Sequence, residues 1–267
     1  MISGKGPLAA MLLLVVSVTA QAEQARVAII IDDLGYRLDA GRRAIALPGP
    51  VAFAVLPGTP RAVTLARWAH EQGKEVLLHL PLQANSDDKD QEPIGIDLDM
   101  SRERLALTFE RALSSVPHVI GVNGHKGSLL TRHPGHMQWL MEEIRARDNL
   151  FFVDSYTTAH SVALQMATEA GVSAVRRDVF LDPDPSPETV LRQFERMKLL
   201  ARKRGLVVAI GHPYDATLEL LEKELPKLAE QGIKLVSISE LIGRPAAVER
   251  QVELASEFVE PLLPNAL

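Results

Sequence analysis

The chain has no cysteine among its 267 residues. No disulfide framework holds the fold and no thiolate is available, so a metal has to be bound by His, Asp or Glu. Aromatic residues are scarce, with two Trp and three Tyr, which argues against a long platform for stacking sugars. The net charge is −5 and no basic stripe is present, so nothing recommends a nucleic-acid partner. Beyond the first 22 residues no apolar run is long enough to span a bilayer. Also missing are a Gly-x-Ser-x-Gly elbow around Ser128 or Ser155, a His-Glu-x-x-His helix and a Gly-rich phosphate loop, which disfavours serine hydrolases and nucleotide enzymes.

What is present begins with a leader pattern. Lys5 gives a positive start, Leu8 to Val18 an unbroken apolar stretch, and Ala20-Gln21-Ala22 a small-x-small cleavage site. Residues 1–22 therefore read as a signal peptide, with the mature chain starting at Glu23, periplasmic or secreted, and not integral to the membrane once processed. Residues 23–245 read as one domain, and 246–267 as a tail that can form one amphipathic helix over 248–259.

Within the domain, eight short apolar runs alternate with amphipathic stretches, the pattern of βα units around a parallel sheet. The strands fall at 27–31, 51–55, 76–80, 119–123, 150–153, 173–175, 206–210 and 234–237. Most lack polar alternation, as strands covered on both faces do. The expected fold is α/β, an irregular barrel of about seven to eight parallel strands. Thr59-Pro60 and Ser186-Pro187 supply helix starts, Gly73 and Gly205 stops, and Pro226 a break in a leucine-rich helix. The acidic stretch 83–99 has no period and reads as a surface loop or a lid.

In parallel βα barrels the C-terminal strand ends form the functional face. Asp32 and Asp33 follow the first strand, His79 closes the third, and His125, Asp154, Asp178 and His212 follow the fourth, fifth, sixth and seventh. Most other histidines fall in or beside helices, and His118 alone marks the opposite rim. Adjacent carboxylates at the end of a buried strand call for a cation or a shared proton. An Asp/His/His set holds a zinc-like divalent ion and leaves positions open for water, as catalytic sites do. A glycosidase using two of Asp32, Asp154 and Asp178 is the other hydrolase these residues allow.

Several segments resemble the divergent polysaccharide deacetylases. These are Ile29-Ile30-Ile31-Asp32-Asp33-Leu34-Gly35, Leu78-His79-Leu80-Pro81-Leu82, Gly121-Val122-Asn123-Gly124-His125-Lys126-Gly127-Ser128, Asp154-Ser155, Arg177-Asp178-Val179-Phe180-Leu181-Asp182 and Ile210-Gly211-His212-Pro213, in family order. The resemblance implies a divalent metal, zinc by analogy, and hydrolysis of an N-acetyl group on a sugar such as those of peptidoglycan. It makes Asp32 the general base, Asp33, His79 and His125 the metal ligands, His212 the acid that protonates the leaving amine, and Asp154 and Asp178 supporting groups. Ordinary polysaccharide deacetylases pair their histidines as His-x-x-x-His, whereas Gln83 and Leu129 stand four positions after His79 and His125. The second imidazole must then come from another strand or be absent. The competing reading is an inactive envelope protein that binds glycan or a protein partner through the same cleft.

Overall fold

The computed structural model describes residues 24–85, 92–147 and 149–243. The leader 1–22 and the tail 246–267 lie outside the described residues. Nine strands form one sheet in which every pairing is parallel. They are β1 (Ala25–Leu34), β2 (Ala52–Val55), β3 (Val76–Leu82), β4 (Val119–Lys126), β5 (Phe151–Asp154), β6 (Ala174–Arg176), β7 (Val179–Phe180), β8 (Leu206–Gly211) and β9 (Ile233–Leu235). The order is β6-β5-β4-β3-β2-β1-β8-β7, with β9 also paired to the start of β1. The expected α/β barrel-like architecture is thus present, as a curled sheet surrounded by helices.

The sixth strand departs from expectation. β6 and β7 are the two ends of the sheet, yet only Arg177 and Asp178 separate them. The Arg177 N–H donates to the Asp154 carbonyl at the end of β5, and the Asp178 N–H to the Val208 carbonyl on β8. One bent segment therefore leaves one edge, joins the other and closes the curl. The strand does not stop at Val175, because Val179, Phe180 and Leu181 carry the apolar run onward.

Alternation sorts the side chains into two buried layers. Val27, Ile29 and Ile31 of β1, with Leu78 and Leu80 of β3, face outward and pack under the helices. Ala28 and Ile30, Ala52 and Ala54, Leu77, Phe151 and Val153, and Val208 and Ile210 fill the interior of the curl. Burying each large aliphatic or aromatic side chain contributes about 1.5–3 kcal/mol. Gly121 sits inside this layer, and a Cβ there would lie 2.5 Å from the Phe151 ring. The interior has no room for a side chain at that point.

The helices are α1 (Leu38–Ile45), α2 (Ala62–Glu71), α3 (Arg102–Ser114), α4 (Pro134–Arg145), α5 (Ala163–Glu169), α6 (Pro187–Arg204), α7 (Asp215–Glu224) and α8 (Ile238–Leu241). Ser186 precedes α6 and left-handed Gly205 ends it. Pro226 splits off a short 3-10 turn after α7. Thr59 is not the cap expected of it: its hydroxyl donates to the Leu56 carbonyl, and α2 begins after Arg61. The short α8 joins the interior layer through Ile238, and Glu75, just before β3, accepts the Ile238 N–H at 2.9 Å. The carboxylate at that helix start satisfies a donor that the helix itself leaves open. No helix among the described residues is long and apolar enough to cross a membrane.

Candidate metal centre

The interior parity of the strands, carried one or two residues past their apolar runs, aims side chains into the mouth of the curl. Asp32 continues Ala28 and Ile30, His79 continues Leu77, and His212 continues Val208 and Ile210. On β4 the register slips between its pairings with Val76 and Leu77 of β3, which resets the parity so that Gly121, Asn123 and His125 share the inner face. Asp33 should then point outward. Instead its φ is 58°, in the left-handed region that Asp tolerates better than most residues, and the β1–β2 register slips between Ile31 and Leu34. The bulge turns the second carboxylate toward the same mouth as the first.

Three ligand-type atoms converge there. His79 Nε2 lies 3.1 Å from Asp33 Oδ1, His125 Nδ1 lies 3.0 Å from the same oxygen, and the two ring nitrogens are 3.0 Å apart. The imidazoles come from neighbouring strands, β3 and β4. Asp33 Oδ1 is buried and has no aligned hydrogen-bond donor, although both rings face it. Two imidazole nitrogens at that separation need either a proton between them or a cation in front of both. This donor set, one carboxylate and two imidazoles, fits a divalent ion with open positions.

The surroundings fix the orientation of each group. Asn123, fully buried, donates from Nδ2 to Asp32 Oδ1 at 2.8 Å, so its Oδ1 must accept from His79 Nδ1–H at 2.7 Å. That leaves the His79 Nε2 lone pair facing the triangle. His212 donates from Nδ1 to Asp182 Oδ1 at 2.9 Å, while Asp182 Oδ2 accepts from the His212 backbone and the Thr217 hydroxyl. His212 Nε2 then faces Asp33 Oδ2 at 3.7 Å, and Asp32 Oδ2 stands 3.6 Å from His79 Nε2.

Charge states follow from these contacts. Burial pulls the His79 pKa down, but Asp32 and Asp33 outweigh it and carry it up to about 9. Burial pushes the Asp33 carboxyl up, yet the two imidazoles prevail and hold it far below the usual carboxylate range. For Asp32 burial wins and its pKa is raised, against the pull of His79, His212 and the Asn123 bond. Burial lowers His212, but the Asp182 bond and the charges of Asp32, Asp182 and Asp33 leave it raised.

Two of the residues assigned a supporting role lie apart from this cluster. Asp154 continues the outward parity of Phe152, and its carboxylate accepts from the Tyr156 N–H and the Ser161 hydroxyl at 2.9 and 2.8 Å. Asp178 lies before β7, below the rim, and binds the Val208 N–H and the Arg204 guanidinium. A sixth strand ending at Val175 puts Asp178 at the rim, whereas the pairing resumes at Val179 and leaves it below. The rim carboxylate of that segment is Asp182, which continues the inward parity of Phe180. The hydrogen bonds of Asp154 and Asp178 run to Tyr156, Ser161, Val208 and Arg204, not to the groups around Asp32. Asn123 and Asp182 stood inside the recognised segments without a role, and inward parity is the signal that marks them. Asp182→Asn should therefore lower the pH at which His212 titrates, because the carboxylate that accepts its Nδ1–H and raises its pKa is lost. Asp178→Asn should leave that titration unchanged and lower only thermal stability, by about 1 kcal/mol for a hydrogen bond lost near the surface. NMR titrations and melting curves of the two variants check this.

The sequence profile of the divergent polysaccharide deacetylases matches residues 29–242, with all the residues above inside the match. The chain belongs to that family. It is 36% identical to the uncharacterized protein YibQ of Escherichia coli K12 over 220 residues, covering 82% of this chain and 68% of that protein. Among solved structures, an uncharacterized protein of Agrobacterium tumefaciens C58 superposes with a TM-score of 0.78 at 21% identity, covering 83% of this chain and 91% of the other. A peptidoglycan N-acetylglucosamine deacetylase superposes with a TM-score of 0.51 at 14% identity, covering 84% and 90%. The family and these neighbours establish a carbohydrate deacetylase-like fold.

Proposed function

We propose that the protein is an exported, divalent-metal-dependent hydrolase that removes acetyl groups from N-acetylated envelope glycans. The observation that carries this reading is the Asp33, His79 and His125 triangle flanked by two differently prepared groups, the buried Asp32 carboxylate and the Asp182-held His212 imidazole. A divalent cation held by the triangle, zinc in our reading, supplies Lewis acidity to an acetyl carbonyl and to water. Asp32 has the chemistry of the general base, its proton affinity raised by burial, and takes the proton from attacking water. His212, as an imidazolium that Asp182 orients and stabilises through Nδ1–H, gives its Nε2 proton to the departing amine. Pairs of groups whose surroundings give them opposite proton roles are the signature of acid–base hydrolysis.

Substrate class is supported by the rim. All three tyrosines of the chain stand on rim loops, after β1, β5 and β8. Tyr36 and Tyr214 are exposed, and the Tyr214 ring lies 5.4 Å from that of His212. One exposed ring beside the acid and a second on the loop after β1 suit the apolar face of one or two sugars, not a long chain. The peptidoglycan deacetylase that shares the fold agrees with a glycan of that type. The leader over residues 1–22 supports a periplasmic or secreted location.

The test uses protein recovered from the cell envelope, whose N-terminus is expected at Glu23. Gently purified protein should contain about one divalent ion and release acetate from N-acetylated glucosamine oligomers or peptidoglycan fragments. Removing the metal should abolish release and adding it back should restore it. Metal-loaded protein that binds these glycans but releases no acetate would replace this reading with the glycan-binding one.

A further inference from the structure

Each imidazole in the centre has one nitrogen turned inward and one outward. The outward N–H of His79 is taken by Asn123, and that of His212 by Asp182. His125 breaks the pattern. Its Nδ1 faces the triangle, while its Nε2 is buried without a hydrogen-bond partner. The group opposite that nitrogen is Glu92, with Oε1 at 3.6 Å, just beyond hydrogen-bond length. The Glu92 side chain is only 15% exposed, an unusual position for a glutamate without a task.

Glu92 is held from both sides. Its other oxygen, Oε2, accepts the Tyr36 hydroxyl at 2.6 Å, which ties it to the loop after β1, three residues past Asp33. On its own segment, Ile94 and Ile96 are buried, and Ile96 forms a parallel bridge with Leu82 at the end of β3. A Cβ on left-handed Gly58 would meet Ile94 at 3.1 Å, so the segment packs closely on that turn. Two apolar anchors thus return the acidic stretch to the mouth of the curl and set its carboxylate beside His125.

We propose that Glu92 is the positioning residue for His125. Its carboxylate accepts the Nε2–H and fixes the tautomer in which Nδ1 offers its lone pair to the metal triangle, and Tyr36 holds the carboxylate in place. A carboxylate behind a ligating imidazole fixes the ring and raises its basicity toward the ion. This rests on the metal-centre reading above.

Zinc is the probe, titrated into the metal-free full chain in competition with a chromophoric chelator. Glu92→Ala should weaken zinc binding about 10- to 100-fold, the usual effect of removing such a partner, with the near-isosteric Glu92→Gln between it and wild type. Tyr36→Phe should weaken it less than Glu92→Ala. Nitrogen-15 spectra of the zinc-loaded wild type should show a His125 Nε2–H protected from solvent exchange, and the protection should vanish in Glu92→Ala. A correctly folded Glu92→Gln and Glu92→Ala that bind zinc as wild type does, while Asp33→Asn binds weakly, would overturn the proposal and leave the metal centre standing. Absence of zinc binding by wild type would overturn both.

Discussion

Replacing Asp32 by asparagine is expected to leave the divalent ion bound and to lower acetate release from an N-acetylated sugar by about 10²- to 10⁴-fold, the usual worth of a positioned proton acceptor. The substitution preserves shape and the fold should tolerate it. The new amide can turn its oxygen to Asn123 and keep the bond that Asp32 Oδ1 now accepts at 2.8 Å. What it loses is proton affinity. Asp32 is the carboxylate whose pKa burial raises, while its neighbour Asp33 is held far down by two imidazoles, so the proposed function assigns the first as base and the second as ligand. Metal analysis and an acetate assay on the same preparation check the division. Loss of the ion with Asp32→Asn would mean that both carboxylates serve as ligands.

Much of this was legible in the residues. Unbroken Val/Ile/Leu runs alternating with capped helices fix a parallel sheet, because strands covered on both faces need no polar side. Asp32, His79 and His212 stand at strand ends in the inward parity of the runs before them, and His125 joins them only after the register slip on β4. The backbone turn at Asp33 was not legible, since strict alternation sends adjacent side chains to opposite faces and only a left-handed residue overrides it. A sixth strand ending at Val175 favours Asp178 over Asp182 as the rim carboxylate, although Val179-Phe180-Leu181 continue the apolar pattern. Asn123 carries no ligand signal in the sequence because an amide is not a metal ligand, and its importance lies in bonds to partners on two other strands, His79 on neighbouring β3 and Asp32 on β1. Glu92 lies in a stretch without periodicity. Its place depends on where Ile94 and Ile96 are buried, which is a property of packing and not of local pattern.

The second large effect concerns the ion itself. Without metal, His79 holds a proton with a pKa carried up to about 9, and ligation requires its Nε2 free. Ion and proton therefore compete for one atom, and zinc affinity of the wild type should fall about tenfold for each pH unit below 9 and level off above it. Asp33→Asn removes an anionic ligand oxygen and, at the same time, one of the two negative charges that raise the His79 pKa. The first loss weakens binding at every pH. The second relieves proton competition, so the pH at which affinity levels off should move down. The deficit of Asp33→Asn relative to wild type should accordingly be largest above pH 9 and narrow as pH falls, a convergence that a constant loss of affinity cannot produce. Chelator competition titrations across that range distinguish the two shapes. Parallel curves would free His79 from the influence of Asp33, and coincident curves would remove Asp33 from the ligand set.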